Sequence, residues 1–142
     1  MKVVLLGHGH CASGYLSSLE MIAGKQQHVE AIDFSESMSP QELEEKLETA
    51  IKEEEEVLIL CDLLGGTPFK LAAARSLQKG GQKIEVIAGF NLSMLLEVAL
   101  GVTTLSDAVI EQIVSSAKRG IVTSKGLFEL SDEVEKDVGE GI

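Results

Sequence analysis

The sequence predicts a doubly wound α/β domain: a mainly parallel sheet with helices on both faces. Two observations carry that expectation. Short apolar runs alternate with amphipathic stretches in strand–helix order, which implies parallel strands joined by right-handed crossovers. Two of the apolar runs end in glycine-rich turns, Gly7-His8-Gly9-His10 and Asp62-Leu63-Leu64-Gly65-Gly66-Thr67-Pro68-Phe69, that lead directly into helical stretches. In sheets of this kind ligands bind at the carboxyl ends of the strands.

The elements follow in order. Lys2–Leu6 reads as an apolar strand, and Ala12–Ala23 as a helix with Ala12, Tyr15, Leu16, Leu19 and Ile22 on one face, stopped by Gly24. Val29–Asp33 is the second strand. Ser39-Pro40-Gln41-Glu42 is a capping box with proline at the first helical position, and the helix it opens buries Leu43, Leu47, Ala50 and Ile51. The glutamates from Glu53 to Glu56 read as a solvated face and loop. Val57–Cys61 is the third strand, Phe69 to Leu77 its following helix, and Ile84–Ala88 the fourth strand. Asn91 caps a helix through Leu100, and Thr103 or Thr104 a longer one that ends at Arg119 before Gly120. Ile121-Val122-Thr123 reads as a short fifth strand, and Leu127 to Ile142 as an acidic stretch with weak helical periodicity.

Composition narrows the function. With 142 residues, the chain suits one domain with an adequate core. A net charge of −11 argues against nucleic acid and anionic membrane surfaces and favours a basic protein partner. With aromatics at 4% and no Trp, stacking platforms for bases or sugars are not expected. Cys11 and Cys61 make no disulfide framework and read as small core residues in a reducing cytoplasm. There is no secretory signal and no run of membrane-spanning length.

Three other readings of the turns are weaker. Gly7-x-Gly9 with Asp33 further on is an incomplete dinucleotide fingerprint: Ala12 stands at the third glycine, and His8 and His10 crowd the turn a pyrophosphate would need. His8, His10 and Cys11 match no zinc spacing and no second ligand pair exists, so no metal is expected; His28 is remote, in a polar turn. A thiolate mechanism through Cys11 or Cys61 competes with the simpler reading of buried side chains.

Phosphohistidine chemistry fits best. Neutral imidazole is a nucleophile near pH 7, and one ring nitrogen must attack while the other keeps its proton. If strands one and three are neighbours, Asp62 meets His8 at one edge of the sheet, holds that proton and stabilises the developing positive charge. Gly65, Gly66 and Thr67 would then surround the phosphoryl oxygens; Thr67 is placed to cap the helix, with Pro68 at its first position.

At these residues the chain resembles the enzyme IIA component of the mannose family of the bacterial phosphoenolpyruvate-dependent sugar phosphotransferase system. The matching features are His8-Gly9, Ala12 with Gly14, Asp33-Phe34, Asp62-x-x-Gly65-Gly66-Thr67-Pro68-Phe69 and Gly89-x-Asn91-x-x-Met94-Leu95-x-Glu97. They define a domain over residues 1–125, followed by an acidic tail, 126–142. The resemblance implies that His8 accepts a phosphoryl group from the phosphocarrier HPr and passes it to a IIB component, expected as a separate polypeptide. Membrane IIC and IID components would be met only indirectly, and no cofactor is needed. Asp62 would orient His8, and Thr67 would lie at the phosphate. The resemblance also implies a homodimer whose short last strand, here Ile121–Thr123, joins the partner's sheet antiparallel. Three positions depart from the family's habit: Ser93 replaces a common proline, Lys70 a common asparagine, and Leu64 a frequent aromatic. Two alternatives stand beside the relay. One is the related phosphotransfer subunit serving dihydroxyacetone kinase; the other is a non-catalytic sensor whose phosphorylation only changes its binding to a regulator.

Overall fold

The computed structural model describes residues 1–130. Four strands, β1 (Lys2–His8), β2 (Val29–Phe34), β3 (Glu56–Cys61) and β4 (Lys83–Ala88), alternate with helices α1 (Cys11–Ala23), α2 (Pro40–Ile51) and α3 (Thr67–Ser76). Three more helices follow: α4 (Leu92–Gly101), α5 (Asp107–Arg119) and α6 (Ser124–Leu130). All strand pairs are parallel and the sheet order is β2-β1-β3-β4. The chain therefore moves outward from β1 to β2 on one side and from β3 to β4 on the other. The crevice where the direction reverses opens between the carboxyl ends of β1 and β3.

Side-chain parity along the strands divides the core into two layers. Val3 and Leu5 of β1 and Leu58 and Leu60 of β3 face Ala12 and Leu19 of α1, Met94, Leu95 and Val98 of α4, and Ile113 and Ala117 of α5. Val4, Leu6, Val57, Ile59 and Cys61 face Leu43, Leu47 and Ile51 of α2 and Ala72 of α3. The central strands are apolar on both faces because both faces are covered. No charged or polar residue is buried among the described residues.

Local signals set the boundaries. Ser39 and Glu42 form the expected reciprocal capping box on α2, behind Pro40. The Asn91 side chain accepts from the Met94 N–H, and its amide also donates to the Ala117 carbonyl, tying the start of α4 to the end of α5. Two sequence expectations are corrected. The long helix begins at Asp107 and is capped by Ser106, not by Thr103 or Thr104. The Thr104 hydroxyl is instead bonded to Glu56. Glu56 is likewise no loop residue: it opens β3 and also accepts the Leu105 N–H. Among the described residues, 121–123 pair with no strand of their own chain, and helix α6 follows them at Ser124. The greater part of the acidic tail, residues 131–142, lies outside the described residues.

Candidate functional site

His8 is the last residue of β1, and Asp62 follows directly on β3. Because Leu6 pairs with Cys61, the parallel register brings the two side chains together at the crevice. One carboxylate oxygen does two jobs. Asp62 Oδ2 accepts the His8 backbone N–H at 2.9 Å and lies 2.9 Å from the His8 ring Nδ1. The other oxygen, Oδ1, is buried without a hydrogen-bond partner among the described residues. The His8 side chain is 44% exposed and that of Asp62 15%, so the imidazole faces solvent while its partner sits beneath it.

The ring is fenced on two further sides. Phe34, at the end of β2, meets it edge-on with centroids 5.8 Å apart. Gly66 packs so closely that a Cβ there would stand 2.8 Å from His8 Cε1 and 3.5 Å from Nε2. The Nε2 side of the ring therefore lies against the turn that opens α3. Gly65 adopts a positive φ of 78°, which glycine tolerates and other residues do not. Gly66, not Thr67, is the N-cap of α3. Thr67 is the first helical residue and Pro68 the second, one position later than the sequence suggested, and no side chain caps this helix. The half-buried start of α3 lies beside His8; the Gly66 N–H is bonded to the Leu63 carbonyl and Pro68 has none, so the first-turn N–H groups without an intrahelical acceptor are those of Thr67 and Phe69.

A second polar cluster lies on the other side of β1. Asp33, in register with Gly7, accepts the Ser13 N–H at 2.9 Å and the Ser13 hydroxyl at 2.6 Å. His10, almost fully exposed, reaches the same carboxylate at 3.4 Å. Burial pushes the Asp33 carboxyl up, but the Ser13 side-chain and backbone bonds and the His10 ring together hold it below the usual range. Sequence reasoning treated Asp33 as an ordinary strand end; the recurrence of Asp33-Phe34 in the family pattern was the one signal pointing to it. Of the two thiols, Cys61 is a buried core group, whereas Cys11, at the start of α1, is only partly buried against the core. Cys61 is pushed up to about 12 by burial and by Asp62, and Cys11 is raised by burial, Asp62 and Asp33.

An open groove of about 800 Å³ along the β2 edge and α2 reaches Asp33 but neither His8 nor Asp62. Leu63 and Leu64, next along the chain from Asp62, are exposed beside the His8 crevice. No group of three or more metal-ligating side chains occurs among the described residues.

The structure is an α/β domain with an accessible histidine braced by an aspartate at the switch point of its sheet, and comparison with known proteins gives its class. The family profile described as "PTS system fructose IIA component" matches residues 2–114. The sorbose-specific EIIA component of Lacticaseibacillus casei is 36% identical over 117 residues, covering 81% of each chain. The fructose-specific EIIA component of Bacillus subtilis is 39% identical over 101 residues, covering 69% of this chain and 68% of its own. A crystal structure of the phosphotransferase system component EIIA from Streptococcus agalactiae superposes with a TM-score of 0.84 at 38% identity, over 88% of this chain and 98% of the other. The chain belongs to the mannose family of enzyme IIA components of the sugar phosphotransferase system.

Proposed function

We propose that this chain relays a phosphoryl group in sugar uptake: His8 accepts it from phospho-HPr and passes it to a IIB component. The observation that carries the reading is the contact of Asp62 Oδ2 with Nδ1, which leaves Nε2 as the attacking nitrogen beside the start of α3. In the forward step the P–N bond on the donor breaks as a new P–N bond forms at Nε2. The Nδ1 proton stays in place, hydrogen-bonded to Asp62, which offsets the positive charge that grows on the ring. Gly65, Gly66 and Thr67 supply the surroundings of the phosphoryl oxygens, with backbone N–H groups at the start of α3 aimed at developing negative charge. No cofactor takes part.

A histidine side chain 44% exposed suits a protein donor and acceptor better than a small substrate, which would need an enclosing pocket. The net charge of −11 favours basic partner surfaces and faster encounter with them. The protein is then cytoplasmic, consistent with no described helix being long and apolar enough to cross a membrane. Membrane IIC and IID components are reached through IIB. The mannose-specific EIIAB component of Escherichia coli, 34% identical over 103 residues, joins A and B functions in its name; this chain spans 31% of its length.

A homodimer built by exchange of residues 121–123 belongs to the same proposal. Ile121 and Val122 are 75% and 59% exposed in the single chain, and β4 is an edge strand able to accept a partner. The decisive experiment is incubation with phosphoenolpyruvate, enzyme I and HPr, followed by mapping of the labelled residue and transfer onward to IIB. Acid-labile label at His8, lost in His8→Ala and kept in His28→Ala, is the expected result. Full label in His8→Ala would overturn the reading. Label at His8 without onward transfer would favour the sensor.

A further inference from the structure

We propose that Asp33 is a positioning residue for His8: from the neighbouring strand β2 it supplies the cap that α1 lacks, and so fixes the turn that presents the imidazole. The inference rests on the reading of His8 as the phosphoryl acceptor.

Four helices cap themselves in the ordinary way. Ser39, Asn91 and Ser106 are extended N-cap residues whose side chains accept the N–H three positions on, and the Thr123 hydroxyl before α6 likewise accepts the Gly126 N–H at 2.9 Å. Helix α1 does not. Its N-cap is His10, with φ −99° and ψ 19°, and the His10 side chain makes no capping bond. The N–H that such a cap would accept belongs to Ser13, and it is Asp33 Oδ1 that accepts it, at 2.9 Å. The second oxygen takes the Ser13 hydroxyl at 2.6 Å. A carboxylate at the start of a helix also complements the helix dipole. The aspartate is therefore used as a cap delivered from another element of the fold.

The consequence for His8 is geometric. Only Gly9 separates His8 from His10, and Gly9 sits at a positive φ of 57°. The Gly9 N–H is itself bonded to the Phe34 carbonyl at 2.9 Å, the residue after Asp33. The end of β2 thus holds the turn at Gly9 and at Ser13, on one side of β1. Asp62 holds His8 from the other side, through its backbone N–H and its ring. His8 is clamped between two aspartates from the two flanking strands; one touches its ring, the other fixes the chain that carries it. Removing Asp33 frees the start of α1 and lets the imidazole drift relative to Asp62 and Gly66. A displacement of about 1 Å is enough to cost a transfer reaction up to about a hundredfold.

The test compares Asp33→Ala and Asp33→Asn with the wild type, using phospho-HPr as donor and ¹⁵N NMR of the His8 ring. Asp33→Ala is expected to lower kcat for labelling by about tenfold to a hundredfold, with KM for phospho-HPr changed by less than about threefold. Its His8 ring signals should shift and broaden. Asp33→Asn keeps an acceptor for the Ser13 N–H, so it should recover most of the loss. A folded Asp33→Ala with wild-type kcat and unshifted His8 signals would overturn the proposal. If Asp33→Ala does not fold, Ser13→Ala decides: it removes the hydroxyl bond to Asp33 Oδ2 and leaves the N–H bond to Oδ1, so it should show smaller changes of the same kind, and wild-type values in both readouts would overturn the proposal equally. Failure of the wild type to be labelled would remove the relay reading by itself; the ring spectra of the variants would still decide the role of Asp33.

Discussion

Asp62 Oδ2 holds His8 twice, at 2.9 Å from its backbone N–H and at 2.9 Å from its ring Nδ1, while Oδ1 of the same carboxylate is buried and unpaired among the described residues. The hydrogen bonds of this side chain, among the described residues, all go to one residue. Asp62→Asn keeps the shape but removes the charge that compensates an imidazolium. Transfer from phospho-HPr should slow by about tenfold to a thousandfold, a loss of roughly 1.4–4 kcal/mol in the barrier. Single-turnover labelling checks this, and kinetics equal to wild type would reduce Asp62 to a structural cap.

Gly66→Ala separates close approach from backbone strain. Gly66 has φ −71° and ψ 167°, a conformation open to any residue. The obstacle is the His8 ring, 2.8 Å from the added methyl. The variant should fold with stability within about 1 kcal/mol of wild type, yet lose about tenfold to a hundredfold in transfer rate because the imidazole must move. Gly65→Ala should behave the other way round on stability: its φ of 78° makes any Cβ costly by about 1–2 kcal/mol. Denaturant midpoints read beside labelling rates distinguish the two effects, and equal stability losses in both variants would contradict the assignment.

The strand–helix alternation and the pairing of His8 with Asp62 were legible because each rests on local pattern plus one topological rule. The two-layer core follows from strand parity, which the apolar runs of β1 and β3 do not themselves reveal: both faces read as hydrophobic. What escaped was long-range. Thr104 is a good cap in isolation, but a glutamate 48 residues away claims its hydroxyl. Thr67 is also a good cap, yet Gly66 takes that position, where only a residue without a Cβ can pass under the His8 ring. Asp33 looked like a strand end because its hydrogen bonds go to a helix that a sequence pattern places nowhere near it. Leu63 and Leu64 gave no sign of lying exposed beside the site.

The thiol of Cys61 gives the protein a base-sensitive limb of stability. In the unfolded chain it ionises near the ordinary value of about 8.5, whereas in the fold burial and Asp62 hold its proton to about 12. Between those values the unfolded state binds fewer protons, so stability falls as pH rises above roughly 8.5, by up to about 1.4 kcal/mol per pH unit. Cys61→Ala removes the group and should flatten that limb relative to wild type. Urea midpoints at a series of alkaline pH values check this; parallel curves for the two proteins would show that the thiol is not the source.

The proposed dimer can be tested without deleting anything. Ile121 and Val122 are exposed in the single chain, so a charge at either position should be nearly neutral for a monomer. If residues 121–123 pair with the sheet of a second copy, the same charge must be buried or must break the pairing, which costs far more. Val122→Lys should therefore shift the protein toward monomer in sedimentation at micromolar concentration. It should also lower the melting temperature and remove that temperature's dependence on protein concentration. Truncation after Gly120 should do the same, because Gly120 keeps its bonds to the Ser116 and Ala117 carbonyls and α5 retains its natural end. His8, Asp62 and the Gly65–Thr67 turn remain in both variants, so labelling by phospho-HPr reports whether the site survives in the monomer. A Val122→Lys protein that stays dimeric at micromolar concentration would move the interface elsewhere, with the half-exposed outer face of α5 the next surface to charge.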